Sequence, residues 1–328
     1  MLESWAELKT IADAGSFAGV SVMTRDEVQR QWAARPLAER LTILMRTRHL
    51  LSGRGEALCA LMPLELARTD ADTMVAEILP LLDACRFLER EALRLLKVRR
   101  LGLRGLPFWL SGIDAEVHRV ALGRVLVIGP GNYPLFLPGV QAMQALAAGN
   151  SVVWKPGLGG RRVAESFADA MAEAGLPDGL LRVTGETGEA AEREIAAGVD
   201  KVFFTGSAAT GRVLLRRLAD TLTPCVLELS GCDAVVVLPS ADMARVVHAL
   251  VFGMRLNGSA TCMAPRRLML LGLTAQSRTK LIRDLWAAFA TLEGVRLTAG
   301  VARQLDGLLE AAIREILPVG RAVLPMLE

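Results

Sequence analysis

The sequence predicts an α/β protein built around a parallel sheet, and three observations carry that reading. Short apolar runs, each stopped by glycine or proline, recur through the middle of the chain: VLVIGP (125–130), SVVWKP (151–156), LLRVTG (180–185), DKVFFTG (200–206), CVLELSG (225–231) and AVVVLP (234–239). Helix-length segments such as FLPGVQAMQALAAG, RVAESFADAMAEAG and AATGRVLLRRLAD lie between most of them. Strand, helix and strand in that alternation make a parallel sheet covered on both faces. The third observation is size: 328 residues, 52% hydrophobic and 22% charged, exceed what one compact core usually holds, so two domains are expected.

Taken in order, the chain opens helically. From about Thr24 to Leu96, EVQRQWAARPLAERLTILMRTRHLL and DTMVAEILPLLDACRFLEREALRLL place apolar residues at threes and fours, the spacing of long amphipathic helices. GLRGLPFWLSGIDAEVHRVALG follows, broken by glycine and proline, and reads as extended strands or a projecting hairpin. After the alternating middle, RLMLLG is a further strand. TAQSRTKLIRDLWAAFATL and GVARQLDGLLEAAIREIL are helices, and GRAVLPMLE is one more strand.

Charge and composition exclude several function classes. Net charge is +3, and the arginines are scattered through helical stretches rather than gathered in a tail, so no nucleic-acid surface is indicated. The N-terminus lacks the pattern of a secretory signal, and the longest apolar runs fall short of the ~20 residues that cross a bilayer. A soluble cytoplasmic protein is expected. The five cysteines are odd in number and the three histidines form no metal-binding spacing, so reduced thiols without a structural metal are expected.

Ligands of parallel sheets bind at the carboxyl ends of the strands, which directs attention to four sites. Asn132 in IGPGNYP offers a side-chain NH2 to a cleft, or serves a turn. In FTGSAATG (204–211) the strand meets glycine, Ser207 and a helix start, either a cradle for a pyrophosphate or a tight turn. Glu228 interrupts the apolar run VLELSG, where a carboxylate is costly unless employed, unless it turns to solvent at an edge. Cys262 lies among small residues in NGSATCMAPRR, a setting that leaves backbone N–H groups accessible, although a lone cysteine also serves as core filler.

IGPGNYP, SVVWKP, GLPDGLLRVTG, FTGSAATGR, LELSG and NGSATCMAPRR resemble, in order and approximate spacing, the NAD(P)-dependent aldehyde dehydrogenase superfamily. The QWAARPLAERL opening, the 34-residue interval from Glu228 to Cys262, and Arg267 five residues beyond the cysteine are similar as well. The resemblance implies a Rossmann-like cofactor domain over 1–231, including the N-terminal helices and an oligomerisation arm at about 105–118. It further implies a partial α/β catalytic domain over 232–328. It makes Cys262 the nucleophile, Asn132 the oxyanion donor with the Cys262 backbone N–H, and Glu228 the base that activates water. Cofactor contacts fall on Lys155, Gly185, Thr205, Gly206, Ser207 and Gly211. The cofactor is NAD or NADP, the substrate a small-molecule aldehyde, and the assembly a homo-oligomer, dimer or tetramer.

The chain departs from the family in several places. Gly131 stands where a tryptophan often precedes the oxyanion asparagine. Leu158 replaces the glutamate that holds the adenosine ribose, and with Arg161 and Arg162 close by this opens the way to NADP. NGSATC and LELSG are small-residue variants of the usual patterns. Family members continue well beyond the equivalent of Glu328, which implies a C-terminally truncated chain with weak or no turnover. Two alternatives accompany aldehyde oxidation: an acylating, CoA- or phosphate-dependent semialdehyde dehydrogenase, and a non-catalytic homologue that binds cofactor or pairs subunits.

Overall fold

The computed structural model describes residues 24–292 apart from 67, 103–106 and 111. GVARQLDGLLEAAIREIL and GRAVLPMLE, expected as helix and strand, lie outside the described residues, as does Gly105 of the expected arm.

The helical opening begins at Thr24, whose hydroxyl accepts the Glu27 backbone N–H while Glu27 reaches back to the Thr24 N–H, a reciprocal cap. Its periodic run divides at Pro36 into α1 (Arg25–Ala34) and α2 (Leu37–Gly53), because the residue before a proline is driven out of the helical region. A short α3 (Gly55–Cys59) follows. The second periodic run also divides, into α4 (Asp70–Thr73), a π-helical turn over Met74–Ile78, and α5 (Leu79–Leu96). Trp32 Nε1 donates to the Leu146 carbonyl at 2.8 Å and docks this layer on the sheet domain.

The segment read as strands or hairpin closes through two short antiparallel strands, β1 (Arg99–Arg100) and β2 (Glu116–Val117). Between them Phe108 and Trp109 are 84% and 70% exposed and meet edge to face.

Five of the expected strands form one parallel sheet: β3 (Arg124–Ile128), β4 (Ser151–Lys155), β5 (Leu181–Val183), β6 (Lys201–Gly206) and β7 (Cys225–Leu229), in the order β5-β4-β3-β6-β7. Helices α6 (Phe136–Ala147), α7 (Arg161–Glu173), α8 (Gly188–Ala196) and α9 (Ala208–Ala219) make the crossovers. Period-two alternation divides the sheet's side chains between two cores. Val125 and Val127 pack under α6, α7 and the N-terminal layer, with Trp32, Leu44, Leu81, Met143 and Phe167. Leu126 and Ile128 face the opposite way, with Val202, Phe204, Leu214 and Leu218 under α8 and α9.

The remaining strands, β8 (Asp233–Val237) and β9 (Pro265–Leu270), form a separate parallel pair. MARVVHALVFGM supplies α10 (Met243–Arg255), and TAQSRTKLIRDLWAAF supplies α11 (Ala275–Phe289). Val237, Leu250, Leu273, Leu281 and Leu285 make this unit's own core.

One expectation fails here. CVLELSG reads as a buried strand with an enclosed glutamate, but β7 is the edge of its sheet and Glu228 is exposed. Its register partner is Thr205, so it shares the face that carries Phe203, and Val226 on that face is 37% exposed. The helices of the first core cover β3, β4 and β5.

Candidate active site

The sheet order reverses between β3 and β6, which leaves a crevice at the carboxyl ends of these strands. A cleft of ≈ 330 Å³ opens there, lined by Asn132, Thr205, Gly206, Ser207, Glu228, Cys262 and their neighbours. The three residues read as catalytic therefore meet in one place. So do three of the six read as cofactor contacts.

Each wall has a local cause. Asn132 stands between β3 and α6, in a loop pressed against the turn after β4. A Cβ added at Gly157 would overlap the Pro130 carbonyl and lie 2.5 Å from the Gly131 nitrogen, so only glycine allows that approach. Thr205 and Glu228 are register partners on adjacent strands. Ser207 caps α9, accepting the Thr210 N–H at 3.1 Å, and brings the positive end of that helix to the cleft. Gly231, just after β7, abuts the Cys262 segment: an added Cβ would lie 2.6 Å from the Cys262 carbonyl oxygen.

The loop before Cys262 is built around Asn257, at φ +55°, a left-handed conformation that asparagine tolerates better than most residues. Its Nδ2 donates to the Ala260 carbonyl at 2.8 Å and to the Asn132 carbonyl at 3.3 Å. Asn132 Nδ2 donates to the same Ala260 carbonyl at 2.7 Å. A carboxamide carries two N–H donors, so this bond orients the Asn132 side chain and leaves a second donor for the cleft. Cys262 is a free, exposed cysteine.

The arginine that lines the cleft is Arg266, which donates to the Gly231 carbonyl at 3.0 Å and the Thr261 carbonyl at 3.1 Å. Arg267, the residue carried by resemblance, instead directs Nε to Cys232 Sγ at 3.2 Å.

Lys155, Gly185 and Gly211 lie off this cleft. Gly211 is buried in α9, where an added Cβ would lie 3.0 Å from Leu229. Lys155 is half-buried; burial pushes its ammonium below the usual lysine range, and the nearby Glu186 carboxylate pulls it back. Glu186 also accepts the Gly159 N–H at 3.0 Å and the Arg161 N–H at 2.8 Å, while Arg161 Nε pairs with Glu165 at 2.7 Å.

Sequence reading missed Arg68, Glu77, Asn257, Glu186 and Arg266. Glu77 carried a signal, since it interrupts the apolar run of MVAEILPLL. Arg68 carried none, because its partners are brought to it only by the tertiary fold.

One observation bears on the implied dinucleotide. Thr205 Oγ1 is buried at the cleft with no hydrogen-bond partner among the described residues, beside the capped start of α9. An unpaired hydroxyl at a helix N-terminus suits a phosphate-bearing ligand. Among the described residues no cluster of three His, Cys, Asp or Glu could hold a metal, and no helix is long and apolar enough to cross a membrane.

Comparison with known proteins identifies the family. The model of the aldehyde dehydrogenase family matches residues 20–293. The chain is 33% identical over 237 residues to 4,4'-diapolycopene aldehyde oxidase of a Methylomonas species, covering 72% of this chain and 44% of that protein. It is 31% identical over 271 residues to benzaldehyde dehydrogenase [NAD(+)] of Pseudomonas putida, covering 77% and 51%. Among solved structures, gamma-glutamyl-gamma-aminobutyraldehyde dehydrogenase from Burkholderia cenocepacia J2315 superposes with a TM-score of 0.73 at 26% identity, over 83% of this chain and 55% of that one. Lactaldehyde dehydrogenase superposes at 0.79 and 24% identity, over 89% and 62%, a likeness of fold. The chain spans about half the length of the curated relatives it matches. With the family's model matched along most of its length and the cleft assembled from the expected strand ends, the chain belongs to the aldehyde dehydrogenase family.

Proposed function

We propose that the chain oxidises an aldehyde to a carboxylic acid with a nicotinamide dinucleotide, using Cys262 as nucleophile. The convergence of Cys262, Asn132 and Glu228 on one cleft carries this reading. The Cys262 thiolate adds to the aldehyde carbon, and the carbonyl electrons move to oxygen, giving a thiohemiacetal. The developing oxyanion accepts from the Asn132 carboxamide and the Cys262 backbone N–H. A bound dinucleotide supplies the acceptor for the hydride whose loss leaves a thioester on Cys262. Glu228 takes a proton from water, the hydroxide attacks the thioester carbon, and the acid departs as the thiolate re-forms. Exposure of Glu228 gives that water a direct path.

Thr205, Gly206 and Ser207 would hold the phosphates, with Lys155 toward the adenosine ribose. The dinucleotide is NAD or NADP, and the Glu186 carboxylate near Lys155 favours NAD by repelling a 2′-phosphate. The exposed Phe108 and Trp109 would seat against a second copy of the chain, giving a homo-oligomer.

The test is reduction of NAD+ or NADP+ over a panel of aldehydes, with Cys262→Ala as control. Cysteine-dependent turnover supports the reading, and turnover that needs CoA or phosphate replaces it with the acylating reaction. A second reading is a homologue that binds cofactor without turning over; the buried, unpartnered Thr205 hydroxyl beside the start of α9 serves a dinucleotide whether or not Cys262 reacts. It predicts calorimetric binding of the dinucleotide with no difference between wild type and Cys262→Ala.

A further inference from the structure

From the contacts of one buried ion pair we infer that Arg68 and Glu77 are positioning residues, a clamp that sets Asn132 against the loop carrying Cys262. The inference rests on the catalytic reading of those two residues.

The Arg68 and Glu77 side chains are 3% and 0% exposed, and Arg68 Nη1 meets Glu77 Oε1 at 2.7 Å. The guanidinium does three further things. Nη2 donates to the Asn132 carbonyl, Nε donates to Asn257 Oδ1, and the cation lies 5.3 Å from the centre of the Tyr133 ring. The other Glu77 oxygen accepts the Leu135 N–H at 3.2 Å and the Phe136 N–H at 2.6 Å, at the start of α6. The pair thus grips the oxyanion loop at the Asn132 carbonyl and again at Leu135 and Phe136 beyond it. Through Asn257 it also grips the loop that leads to Cys262, and the Ala260 carbonyl, shared by Asn132 and Asn257, closes the ring.

Stability alone gives this pair little reason to exist. Removing two charges from water offsets most of their attraction, and apolar residues of similar volume often do as well. Burial pushes the Glu77 carboxyl above the usual range, with Arg68 and the two backbone N–H groups pulling against it. What an apolar pair cannot do is hold Asn257 at positive φ and aim the Asn132 loop. A planar fork of five N–H donors serves three acceptors at once, which a lysine ammonium at the same place does not.

The experiment compares full-length wild type, Arg68→Met, Arg68→Lys and Glu77→Gln. Acylation of Cys262 by p-nitrophenyl acetate passes through an oxyanion, whereas alkylation of the same thiol by iodoacetamide does not. Mass spectrometry at Cys262 follows both, and hydrogen exchange is read over residues 130–136 and 256–262. For Arg68→Met, acylation is expected to slow about 10²-fold with alkylation within about threefold of wild type, and exchange to quicken in both segments. Arg68→Lys keeps a charge beside Glu77 and is expected to melt near wild type yet still acylate slowly, which a purely structural role would not produce. Wild-type acylation together with unchanged exchange in both variants overturns the clamp. Should wild type and Cys262→Ala behave alike toward the ester, the catalytic reading fails, while the exchange of the two segments still decides the clamp.

Discussion

Gly231→Ala tests the packing behind Cys262. The φ of Gly231 lies outside the left-handed region, so the new methyl acts by contact alone. Its carbon would stand 2.6 Å from the Cys262 carbonyl oxygen and 3.3 Å from Asp233 Oδ1. The Cys262 backbone must retreat about 0.8 Å to reach the 3.4 Å of ordinary contact. Misplacement of a reacting group by about 1 Å costs on the order of 10²-fold in rate, so a 10- to 100-fold fall in Cys262 acylation is expected. The loop is at the surface and can yield, which puts the stability cost near the low end of overpacking, about 1 kcal/mol, or roughly 2–4 °C in melting temperature. The assay is p-nitrophenolate release with a parallel thermal melt. Gly53→Ala, where nothing lies within 4 Å of the added carbon, is the control and should change neither reading appreciably. If Gly231→Ala acylates at the wild-type rate, the cysteine is not held by this contact and the packing argument is wrong.

Four other outcomes follow from the same geometry. Asn132→Ala should slow acylation by about 10²–10³-fold, with the rate of alkylation by iodoacetamide showing whether the thiol itself is intact. Glu228→Gln should still acylate but release acid about 10²–10⁴-fold more slowly, so that intact-mass measurement finds acyl-enzyme accumulating. Burial pushes the Cys85 thiol up from 9.0 to about 12. Near pH 8 it should therefore stay silent to a disulfide reagent while exposed Cys232 and Cys262 react. Because the unfolded thiol ionises near 9 and the folded one near 12, its contribution to stability is full below pH 9 and falls away as pH rises toward 12. Phe167, fully buried and edge to face with Trp154 at 5.3 Å, should cost about 3–5 kcal/mol in urea unfolding when changed to alanine.

The strands of the main sheet were legible because their signal is local. VLVIGP and SVVWKP carry apolar residues on both faces and end in glycine or proline, and a central parallel strand looks like that wherever it occurs. The exposure of Glu228 was not legible for the complementary reason. Whether CVLEL lies at the centre or the edge depends on strand order, which no five-residue composition encodes. The site divided in the same way. Asn132 and Glu228 could be placed from motifs at strand ends, because a crevice must open where the order reverses, whereas Cys262 precedes β9 and was singled out by its small-residue setting and the resemblance. Arg68 could not, since its partners Asn132 and Asn257 stand 64 and 189 residues away. The same holds for Glu194, which joins Arg124 of β3 to Arg182 of β5 and is silent in GEAAEREIAAG.

The separation of the two sheets explains why the site depends on such contacts. Strand register fixes Thr205 beside Glu228, since β6 and β7 share a ladder. No ladder among the described residues joins β7 to β8, so backbone hydrogen bonding within a sheet cannot set the distance from Asn132 to Cys262. That distance is left to side chains and loop backbones: Asn132 and Asn257 on the Ala260 carbonyl, Arg266 on the Gly231 carbonyl, and Gly231 against Cys262. Each is a single hydrogen bond or van der Waals contact, individually worth about 1 kcal/mol and individually able to yield. The buried arginine adds what these lack, a charged donor that bonds the Asn132 loop and Asn257 from within the N-terminal helical layer. Among the described residues, the placement of Cys262 against Asn132 is thus set less by the sheets that flank them than by contacts from the N-terminal helical layer.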